Sequence, residues 1–386
     1  MHYSSLKMKK YKILHIAQPT HGGVQVYLDI LFRNFNHKDI YPYIVCPPEY
    51  KSYNMNIKTC YMKFINMPRE LRIITDIKII FQILKYAREQ KIDLIHAHST
   101  KAGFYARFLS FAVSIPCAYT PHAYYYLGKN GFRKQLLLFY ERIASKFTDL
   151  LIATSHSERK RSVVEVKYPE KKVKVFLNSI EEQNNRLSKK LDNNILMIGR
   201  INYQKNPEMF VKVASLVSNR IPKCKFVLLG ARKEDTLLAE LNESIIKNNM
   251  EHTISVINWV SSEEVNDYIK SCDVYIQTSN YESFGYTVAE AMQMQKPVVA
   301  TNIDGLNELV VHNYNGFLVE KNNSERMASY IIHLLGNDKL RKRMGVNGYN
   351  IIINKYQIKK NIYKFYAIYM DYFFEKIKTN GLGISC

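Results

Sequence analysis

Short apolar runs alternate along the whole chain with longer stretches whose apolar residues recur every three or four positions. KILHIAQ (12–18), PYIVCP (42–47) and DLLIATS (149–155) are typical of buried β-strands. ITDIKIIFQILKYAREQ (74–90) has the spacing of an amphipathic helix. The alternation predicts an α/β fold of parallel sheets with helices on both faces.

The alternation pauses once, at the polar, Asn-rich segment FLNSIEEQNNRLSKKLDNN (176–194), which is typical of a linker. It restarts with ILMIGR (195–200). We therefore predict two doubly wound, Rossmann-like domains that face a cleft, an N-terminal one over residues 1–183 and a C-terminal one over 184–360. Ligands of such sheets bind beyond the carboxyl ends of the strands, and clefts between domains are favoured binding sites.

The charge of the chain is strongly asymmetric. The 386 residues carry a formal net charge of +21, and residues 1–180 contain 29 Lys and Arg against 12 Asp and Glu, a net of +17. Such a surface attracts polyanions, either nucleic acid or an anionic membrane leaflet. A generically basic, solvated surface is the alternative.

Signals for export or membrane insertion do not stand out. No apolar run approaches the roughly 20 residues of a membrane-spanning helix, and the N-terminus has no separate apolar segment with a cleavage site. Met8 is a second candidate start besides Met1, because the first strand pattern begins cleanly there. The six cysteines are scattered without a CxxC pair, which argues against a disulfide framework or zinc site and fits a reducing cytoplasm.

In the first half, glycines and histidines cluster at predicted strand ends. Gly22 and Gly23 in GGVQVYL precede a helix, where they suit close approach of a ligand to the backbone, or only a tight turn. His96 and His98 fall on one side of a strand, but no Cys, Asp or Glu completes a ligand set, so we predict no metal site. His122, in the loop of YTPHAYYY, suits a hydrogen bond to a sugar hydroxyl or phosphate, or a packing or capping role.

In the second half, MIGRINYQKNP ends a strand with Gly199 and Arg200, and Lys205 follows shortly before a helix. A guanidinium and an ammonium at one strand edge bind the oxygens of an anion well. An ordinary surface pair is the alternative.

The segment YESFGYTVAEAM places Glu282 in a loop and Glu290 in a helix that begins near Gly285. The first backbone N–H groups of that helix, from Gly285, Tyr286 and Thr287, suit a phosphate. Glu290 lies about 7 Å further along the helix axis. A nucleotide sugar, with a hydroxyl-bearing sugar on each side of its diphosphate, matches this arrangement. A capping carboxylate and an unrelated surface glutamate are the alternative.

The order of these segments resembles that of the retaining glycosyltransferases of family 4, which have the GT-B fold and include bacterial lipopolysaccharide and capsule transferases. The E-x7-E motif of the family is ESFGYTVAE, and the other matching segments are, in chain order, GGVQVYL, HAHSTKAG, YTPHAYYY, TSHSERKR, VKVFLNSI and GRINYQKNP. Ser179 replaces a glycine of the family pattern, and Asp304-Gly305 replaces a pair of glycines. The resemblance covers nearly the whole chain and implies that the final segment (361–386) packs as a helix on the N-terminal domain.

The resemblance also implies a role for each motif residue. Arg200 and Lys205 would bind the donor diphosphate and stabilise the leaving phosphate. Glu282 would bind the donor sugar, and His122 would contact sugar or phosphate near the reaction centre. The nucleotide would be bound by further groups: the ribose by Glu290, the base by Trp259 and Val260, and the phosphates by the backbone of Gly23 and of Gly285, Tyr286 and Thr287, with Gly199 at the same site.

These roles imply a metal-independent, retaining enzyme that needs no cofactor besides its donor. It would move a hexose or N-acetylhexosamine from a nucleotide sugar, most simply a UDP-sugar, to a glycan linked to polyprenyl diphosphate, in the synthesis of capsule, O-antigen or exopolysaccharide. It would be cytoplasmic, with its basic first half docked on the anionic inner face of the plasma membrane. The candidate contacts are KKYK (9–12), the helix at 76–91 and GKNGFRKQLLLFYERIASK (128–146), although the last also fits a core-facing helix.

Three other functions fit parts of the sequence. A nucleotide-sugar 2-epimerase and a soluble glucan synthase share the architecture. The E-x7-E motif argues against the epimerase, and the basic first half argues against the synthase. A protein that binds single-stranded nucleic acid fits the basic charge and the interleaved aromatic residues. It leaves the motifs at 199–205 and 282–290 unexplained, so we expect no nucleic-acid partner.

Overall fold

The computed structural model describes residues 10–19, 22–52, 60–183 and 194–379. The chain divides into two compact units, Met1–Ser179 with Ile358–Cys386 and Ile180–Gln357. The first unit thus ends at Ser179, where we predicted 183, and the second ends at Gln357, where we predicted 360. The alternative start Met8, part of the KKYK segment and most of the predicted linker lie outside the described residues.

The first unit is built on a sheet of seven parallel strands in the order β3-β2-β1-β4-β5-β6-β7. The strands are β1 (Tyr11–Ala17), β2 (Ile40–Cys46), β3 (Tyr61–Phe64), β4 (Leu94–His98), β5 (Cys117–Thr120), β6 (Leu150–Ala153) and β7 (Val173–Val175). The central strand β4 is buried along its whole length, because helices cover both faces of a parallel sheet. The apolar pattern missed the edge strand β3, whose side chains are exposed or half-buried.

Helices cover both faces of this sheet. They are α1 (Gly23–Arg33), α2 (Ile73–Gln90), α3 (Thr100–Val113), α4 (Gly131–Ala144), α5 (His156–Val164) and α13 (Ile358–Thr379). The connections through α2, α3 and α4 cross the sheet in one direction, and that through α1 runs the other way. Because such crossovers are right-handed, α2, α3 and α4 share one face and α1 lies on the other.

The C-terminal helix α13 packs on the first unit, as predicted. The Phe373 ring stacks on the Tyr11 ring with 3.9 Å between centroids. The Asn36 backbone N–H donates to the Tyr366 hydroxyl at 2.7 Å. Helix α13 therefore packs on the same unit that contains the first strand, β1.

The second unit contains a sheet of six parallel strands in the order β10-β9-β8-β11-β12-β13. The strands are β8 (Asn194–Ile198), β9 (Lys225–Ala231), β10 (Ile254–Asn258), β11 (Val274–Gln277), β12 (Val298–Thr301) and β13 (Gly316–Val319). The helices are α6 (Pro207–Ser218), α7 (Leu238–Lys247), α8 (Ser262–Ser271), α9 (Tyr286–Gln293), α10 (Leu306–Leu309), α11 (Ser324–Leu335) and α12 (Asp338–Lys355). Two parallel α/β sheets confirm the predicted fold class.

In both sheets the strand order reverses beside the first strand, between β1 and β4 in one unit and between β8 and β11 in the other. The carboxyl ends of parallel strands share one edge of the sheet. A reversal opens a crevice there, because the connections on its two sides leave toward opposite faces. Among the residues singled out by the sequence, those that follow β1, β8 and β11 lie at the two reversal points. His122 follows β5 and Trp259 follows β10, on the same edges of the two sheets.

Candidate active site

Two loops of the second unit meet where its strand order reverses. One follows β8 and the other follows β11. Asn280 donates from its backbone N–H to the Gln204 carbonyl and from Nδ2 to the Tyr203 carbonyl, both at 2.7 Å. Thr278 Oγ1 donates to the Lys205 carbonyl, also at 2.7 Å. These hydrogen bonds hold the two loops together.

The buried carboxylate of Glu282 lies between these loops and accepts hydrogen bonds at both oxygens. Lys205 Nζ donates to Oε1 at 2.5 Å, and Ser279 Oγ donates to the same atom at 2.9 Å. Gln204 Nε2 donates to Oε2 at 3.2 Å. Three donors leave about one of the roughly four lone-pair sites of a carboxylate for a further donor such as a sugar hydroxyl. The sequence singled out Lys205 and Glu282 but not their pairing.

Lys205 reaches Glu282 by passing over Gly199. A Cβ at position 199 would lie 2.8 Å from Lys205 Cε and 3.1 Å from its Cδ, so a larger residue would push the lysine aside. Arg200 follows Gly199 and is partly exposed at the same strand end. Two cationic side chains, Arg200 and Lys205, therefore share this edge, and such groups bind the oxygens of an anion well.

A buried polar network links Glu282 to the start of α9. Gln277 Nε2 donates to Ser279 Oγ at 2.8 Å. The Tyr275 hydroxyl lies 3.2 Å from Gln277 Oε1 and 2.8 Å from Thr287 Oγ1. Sequence reasoning missed four members of the site, Gln204, Tyr275, Gln277 and Ser279. The available signal was QTS (277–279), three polar residues that end an apolar strand.

Helix α9 begins directly after this loop, at the predicted place. Its N-cap is Gly285, with φ at 98°, and glycine has no side chain that could cap the helix. A Cβ on Gly285 would lie 2.6 Å from Leu306 Cδ2, and the positive φ also disfavours other residues. The first turn of α9 presents its N–H groups beyond the helix end, a geometry that binds phosphate.

The departure from the family pattern at Asp304 has a structural explanation. A Cβ on Gly305 would lie 2.7 Å from both Ser283 C and Phe284 N, and φ of Gly305 is 81°. Only glycine fits there without displacing the loop that carries Glu282. Asp304 is absent from the positive-φ positions, so the first residue of the pair does not need to be glycine.

Glu290 lies on α9, four residues after Tyr286, and is partly exposed. Burial of its carboxyl group raises the pKa from 4.5 to about 7. A carboxyl group with this pKa is ionised in about half of the molecules at neutral pH. It can therefore accept hydrogen bonds from hydroxyl groups or donate one.

The single tryptophan, Trp259, follows β10 on the same edge of the sheet, and more than half of its side chain is exposed. The Arg232 guanidinium lies over its ring, 4.5 Å from the centroid. Val260 follows and is partly exposed. A half-exposed indole ring next to a cation suits a stacked aromatic base.

In the first unit, His122 follows β5 in a loop of unusual backbone, with φ at 53° and at 71° for the next residue, Ala123. The buried Glu158 stabilises this loop. Its Oε1 accepts from the Ala123 N–H at 2.9 Å, and its Oε2 accepts from the Thr154 N–H at 2.7 Å. Desolvation lowers the pKa of His122 to about 3, so its ring is neutral at pH 7.

Gly22 and Gly23 lie on the corresponding edge after β1. Gly22 has φ at 90° and precedes α1, which begins at Gly23. The positive φ of Gly22 explains why glycine occupies this position. Contact between Gly23 and a phosphate stays a prediction.

A third buried histidine joins the two on β4. His15 lies on β1 opposite His96, and the ligand nitrogens of His15, His96 and His98 all lie within 4.8 Å of one another. Sequence reasoning missed His15, because strand pairing and not sequence proximity brings it there. His96 has partners at both nitrogens, Tyr369 at 2.6 Å and Thr120 at 2.9 Å. Hydrogen bonds thus satisfy most of a set that could otherwise hold a metal ion.

Two family sequence profiles match the chain. The profile described as "Glycosyl transferases group 1" matches residues 178–351, and the one described as "Glycosyltransferase Family 4" matches residues 21–184. Together they span nearly all of the motifs described above. The chain is a GT-B glycosyltransferase of family 4.

Relatives of this glycosyltransferase have names from surface polysaccharide synthesis. An Escherichia coli protein named UDP-Gal:alpha-D-GlcNAc-diphosphoundecaprenol alpha-1,3-galactosyltransferase is 26% identical, over 78% of this chain and 81% of its own. The Staphylococcus aureus capsular polysaccharide biosynthesis glycosyltransferase CapM is 23% identical, over 90% of this chain and 94% of its own.

A solved structure confirms the GT-B fold. Anabaena Alr3699/HepE, in complex with UDP and glucose, superposes with a TM-score of 0.77 at 18% identity, over 92% of this chain and 99% of that one. Among the residues that the structure describes, no helix of this glycosyltransferase has the length and apolar character to cross a membrane.

Proposed function

We propose that this glycosyltransferase moves a hexose or N-acetylhexosamine from a UDP-sugar to a lipid-linked saccharide during the synthesis of a surface polysaccharide. The observation that carries the proposal is the Lys205–Glu282 pair beside the start of α9. One sheet edge thereby offers an ammonium, a carboxylate with room for a hydroxyl, and the N–H groups of a helix start. A sugar joined to a diphosphate needs this combination of groups.

In the proposed reaction, an acceptor hydroxyl oxygen bonds to the anomeric carbon of the donor sugar. The bond from that carbon to the phosphate oxygen breaks, and the hydroxyl proton passes to the leaving nucleoside diphosphate. Lys205 and Arg200 stabilise the negative charge that grows on this group. Removal of one such preorganised contact typically costs a factor of about 10² to 10³ in rate.

The donor and acceptor classes in the proposal draw on two relatives. The name of the Escherichia coli relative specifies a UDP-galactose donor and a diphosphoundecaprenol acceptor. The Anabaena relative was solved with UDP and glucose. In this chain, Trp259 with Arg232 offers a ring face for the base, and Glu290 offers a carboxyl group for the ribose.

We also propose that the anomeric configuration is retained and that the reaction needs no metal. Retention comes from the family resemblance of the E-x7-E motif. Independence of metal is supported by the cations at the site, because Lys205, Arg200 and the helix start supply the charge that a divalent ion supplies in other transferases.

The test is a transfer assay with UDP-, GDP- and ADP-sugars and N-acetylglucosamine on polyprenyl diphosphate as acceptor. We expect transfer from a UDP-sugar, an α-linked product from an α-linked donor by NMR, and the same rate in excess EDTA. Transfer only from GDP- or ADP-sugars would refute the proposed donor, a β-linked product would refute retention, and loss in EDTA would refute independence of metal. A donor converted to its 2-epimer without an acceptor would refute transfer.

We further propose that helix α4 docks the protein on an anionic membrane surface, where a lipid-linked acceptor resides. Phe132, Leu136, Phe139 and Ile143 recur every three or four residues and form one exposed stripe along the helix; Phe132 is 81% exposed. The buried residues of α4 are Leu138, Glu141 and Ala144, on the opposite side. The segment is therefore not a helix that turns its apolar face to the core, which was the alternative from sequence.

The charges around the stripe favour an anionic bilayer as its partner. At about 100° per residue, Arg133 and Arg142 lie on the two flanks of the stripe, and both are exposed. On the same face of the sheet, α2 adds exposed Ile73, Ile77 and Phe81. Apolar side chains flanked by arginines bury in the interface while the guanidinium groups contact anionic headgroups.

A further inference from the structure

We infer that His15 and His98 form a hydrogen-bonded chain with His122 that fixes the tautomer of His122, so that its outward nitrogen Nδ1 is a hydrogen-bond donor and not a base. This inference rests on the proposed transferase function, for which the family resemblance implies that His122 contacts sugar or phosphate. It deepens that role by assigning the direction of one hydrogen bond. It also adds two positioning residues that do not touch the substrate.

The chain of contacts begins in the core and ends at the strand edge. His15 Nδ1 lies 2.9 Å from His98 Nε2, and the two ring planes are within 11° of each other. His98 Nδ1 lies 3.2 Å from His122 Nε2. The planes of the His98 and His122 rings are tilted by 31°. Both N···N distances lie in the range of hydrogen bonds.

All three rings are neutral at pH 7. Burial lowers the pKa of His15 and of His122 to about 3, and it lowers the pKa of His98 well below its usual value. A neutral imidazole carries one N–H and one lone pair. Each ring therefore donates once and accepts once, and the chain has only two possible directions.

The buried Nε2 of His15 selects between these directions. It has no hydrogen-bond partner. In one direction of the chain this atom would be an N–H without an oxygen or nitrogen acceptor, and in the other direction it would be a lone pair without a donor. Buried backbone N–H groups without partners are rarer in proteins than under-satisfied backbone carbonyls, and we apply the same preference to the ring nitrogens. We therefore place the His15 proton on Nδ1, where it donates to His98, and the His98 proton on Nδ1, where it donates to His122.

This direction determines what His122 presents at the edge of the sheet. Its Nε2 accepts from His98, so its single proton is on Nδ1. Among the described residues, Nδ1 has no hydrogen-bond partner, and the side chain is partly exposed. His122 thus offers a donor to an oxygen of the ligand, either a hydroxyl or a phosphate oxygen. It cannot remove a proton from an acceptor hydroxyl through this atom.

The tautomer can be read directly by NMR on the full-length protein labelled with ¹⁵N-histidine. Long-range ¹H–¹⁵N correlation spectra distinguish a ring protonated at Nδ1 from one protonated at Nε2. The His122 signals are assigned by their loss in His122→Asn. We expect His122 to be neutral and protonated at Nδ1 between pH 6 and 8. A His122 protonated at Nε2, or zinc bound stoichiometrically by His15, His96 and His98, would overturn the inference.

A matched pair of substitutions tests the positioning role of His98. The amide N of asparagine occupies about the place of imidazole Nδ1, whereas that of glutamine occupies the place of Nε2. His98→Asn should keep the donor to His122 and its tautomer, and His98→Gln should release His122 to a mixture of tautomers. The reverse order, or no difference between two folded variants, would contradict the inference. The wild-type NMR spectrum is recorded without substrate, so its result does not depend on the transfer assay. Failure of this inference can therefore be distinguished from failure of the proposed function.

The donor at His122 Nδ1 also predicts a difference in transfer activity between two variants. His122→Asn retains a donor at the place of Nδ1 and should keep about tenfold more transfer activity than His122→Gln, the difference expected of one hydrogen bond. If the NMR result holds and the two variants are equally active, His122 does not donate to the ligand during transfer.

Discussion

At the residue scale, the Lys205–Glu282 ion pair is central to the proposed donor site in the second unit. Both side chains are largely buried, with 17% and 8% of their surface exposed. A buried carboxylate that loses its cation keeps the desolvation cost without the compensating attraction. The pair therefore stabilises the loops after β8 and β11 as well as forming part of the proposed donor site.

A double-mutant cycle measures how much the pair contributes to stability. We expect Lys205→Met to lower the free energy of unfolding of the second unit by about 2 kcal/mol, since Glu282 keeps its bonds to Ser279 and Gln204. Glu282→Gln in the same chain should recover about 1 kcal/mol of this loss. Urea unfolding followed by the fluorescence of Trp259, which lies in this unit, measures both values. Strictly additive effects would show that the two side chains do not interact.

Glu290 makes stability depend on pH in a defined direction. Its folded pKa of about 7 lies above its ordinary value of 4.5, so the folded state binds more protons between these values. Stability is therefore lost as pH rises from about 4.5 to about 7. The pKa difference sets an upper limit near 3 kcal/mol, and partial exposure reduces the expected effect to about 1 kcal/mol.

Glu290→Gln should remove this loss. We expect the variant to match the wild type at pH 5 and to be more stable by about 1 kcal/mol at pH 8, measured by urea unfolding. Glu243→Gln, at an exposed position of α7, is the matched control. If the difference in unfolding free energy between Glu290→Gln and the wild type were the same at pH 5 and at pH 8, the raised pKa of Glu290 would be contradicted.

At the residue scale, the sequence identified the residues with distinctive chemistry but not their partners. Glu282, Glu290 and Lys205 stand out because carboxylates and an ammonium follow apolar strands. Ser279 and Gln204 are ordinary polar residues, and only the three-dimensional path of two loops places their donors beside Glu282. His15 was missed because an apolar strand pattern conceals one buried histidine.

At the element scale, the entry into α9 depends on one glycine. Gly285→Ala combines an unfavourable φ with a contact of 2.6 Å to Leu306, so we expect a loss of about 2 kcal/mol in stability and weaker binding of UDP. Gly336→Ala, at the end of α11, is the control, because its φ is −79° and the nearest atom lies 3.5 Å from the added Cβ. Thermal unfolding and calorimetry with UDP measure the two effects. Equal stability of the two variants would contradict the packing described for α9.

The outward stripe of α4 allows a test of membrane docking. We expect Phe132→Glu with Phe139→Glu to lower the bound fraction on phosphatidylglycerol vesicles at least about tenfold, because two apolar groups no longer enter the interface. Ile246→Glu, an exposed apolar position of the second unit, should leave binding unchanged. Wild-type binding should fall on phosphatidylcholine vesicles and in high salt.

Two results would refute the docking proposal. One is vesicle binding that the double α4 substitution does not alter. The other is a dimer in solution that this substitution dissociates, because the stripe would then serve a second copy of the chain. Sedimentation of both variants without vesicles distinguishes these results from unfolding.

Elements with strong periodicity were predicted, and those without it were not. The 18-residue α2 and the buried strands of both sheets have clear patterns. For α4, an amphipathic pattern fixes only that one side is apolar, so it could not tell an inward stripe from an outward one. The buried side of α4 carries Leu138 and Ala144 together with Glu141, which pairs with the buried Arg107 at 3.1 Å.

At the scale of the whole molecule, the repeated β-α alternation was sufficient to predict two parallel α/β sheets. The alternation alone could not predict that the chain returns to the first unit at Ile358. A helix that connects two units has the same local pattern as a helix within one unit. The concentration of positive charge in residues 1–180, +17 of +21, matches the unit that carries α4. Charge and apolar stripe therefore lie on the same unit.

The most direct test of the proposed donor site is calorimetric titration with UDP and with UDP-sugars, with Trp259 fluorescence recorded in the same samples. We expect one site per chain and a saturable change of fluorescence. Glu282→Ala should weaken binding of the UDP-sugar about tenfold or more and leave that of UDP nearly unchanged, because Glu282 binds the sugar. Lys205→Met should weaken both ligands. Binding of single-stranded nucleic acid with a steep dependence on salt, and of no nucleotide sugar, would contradict the proposal.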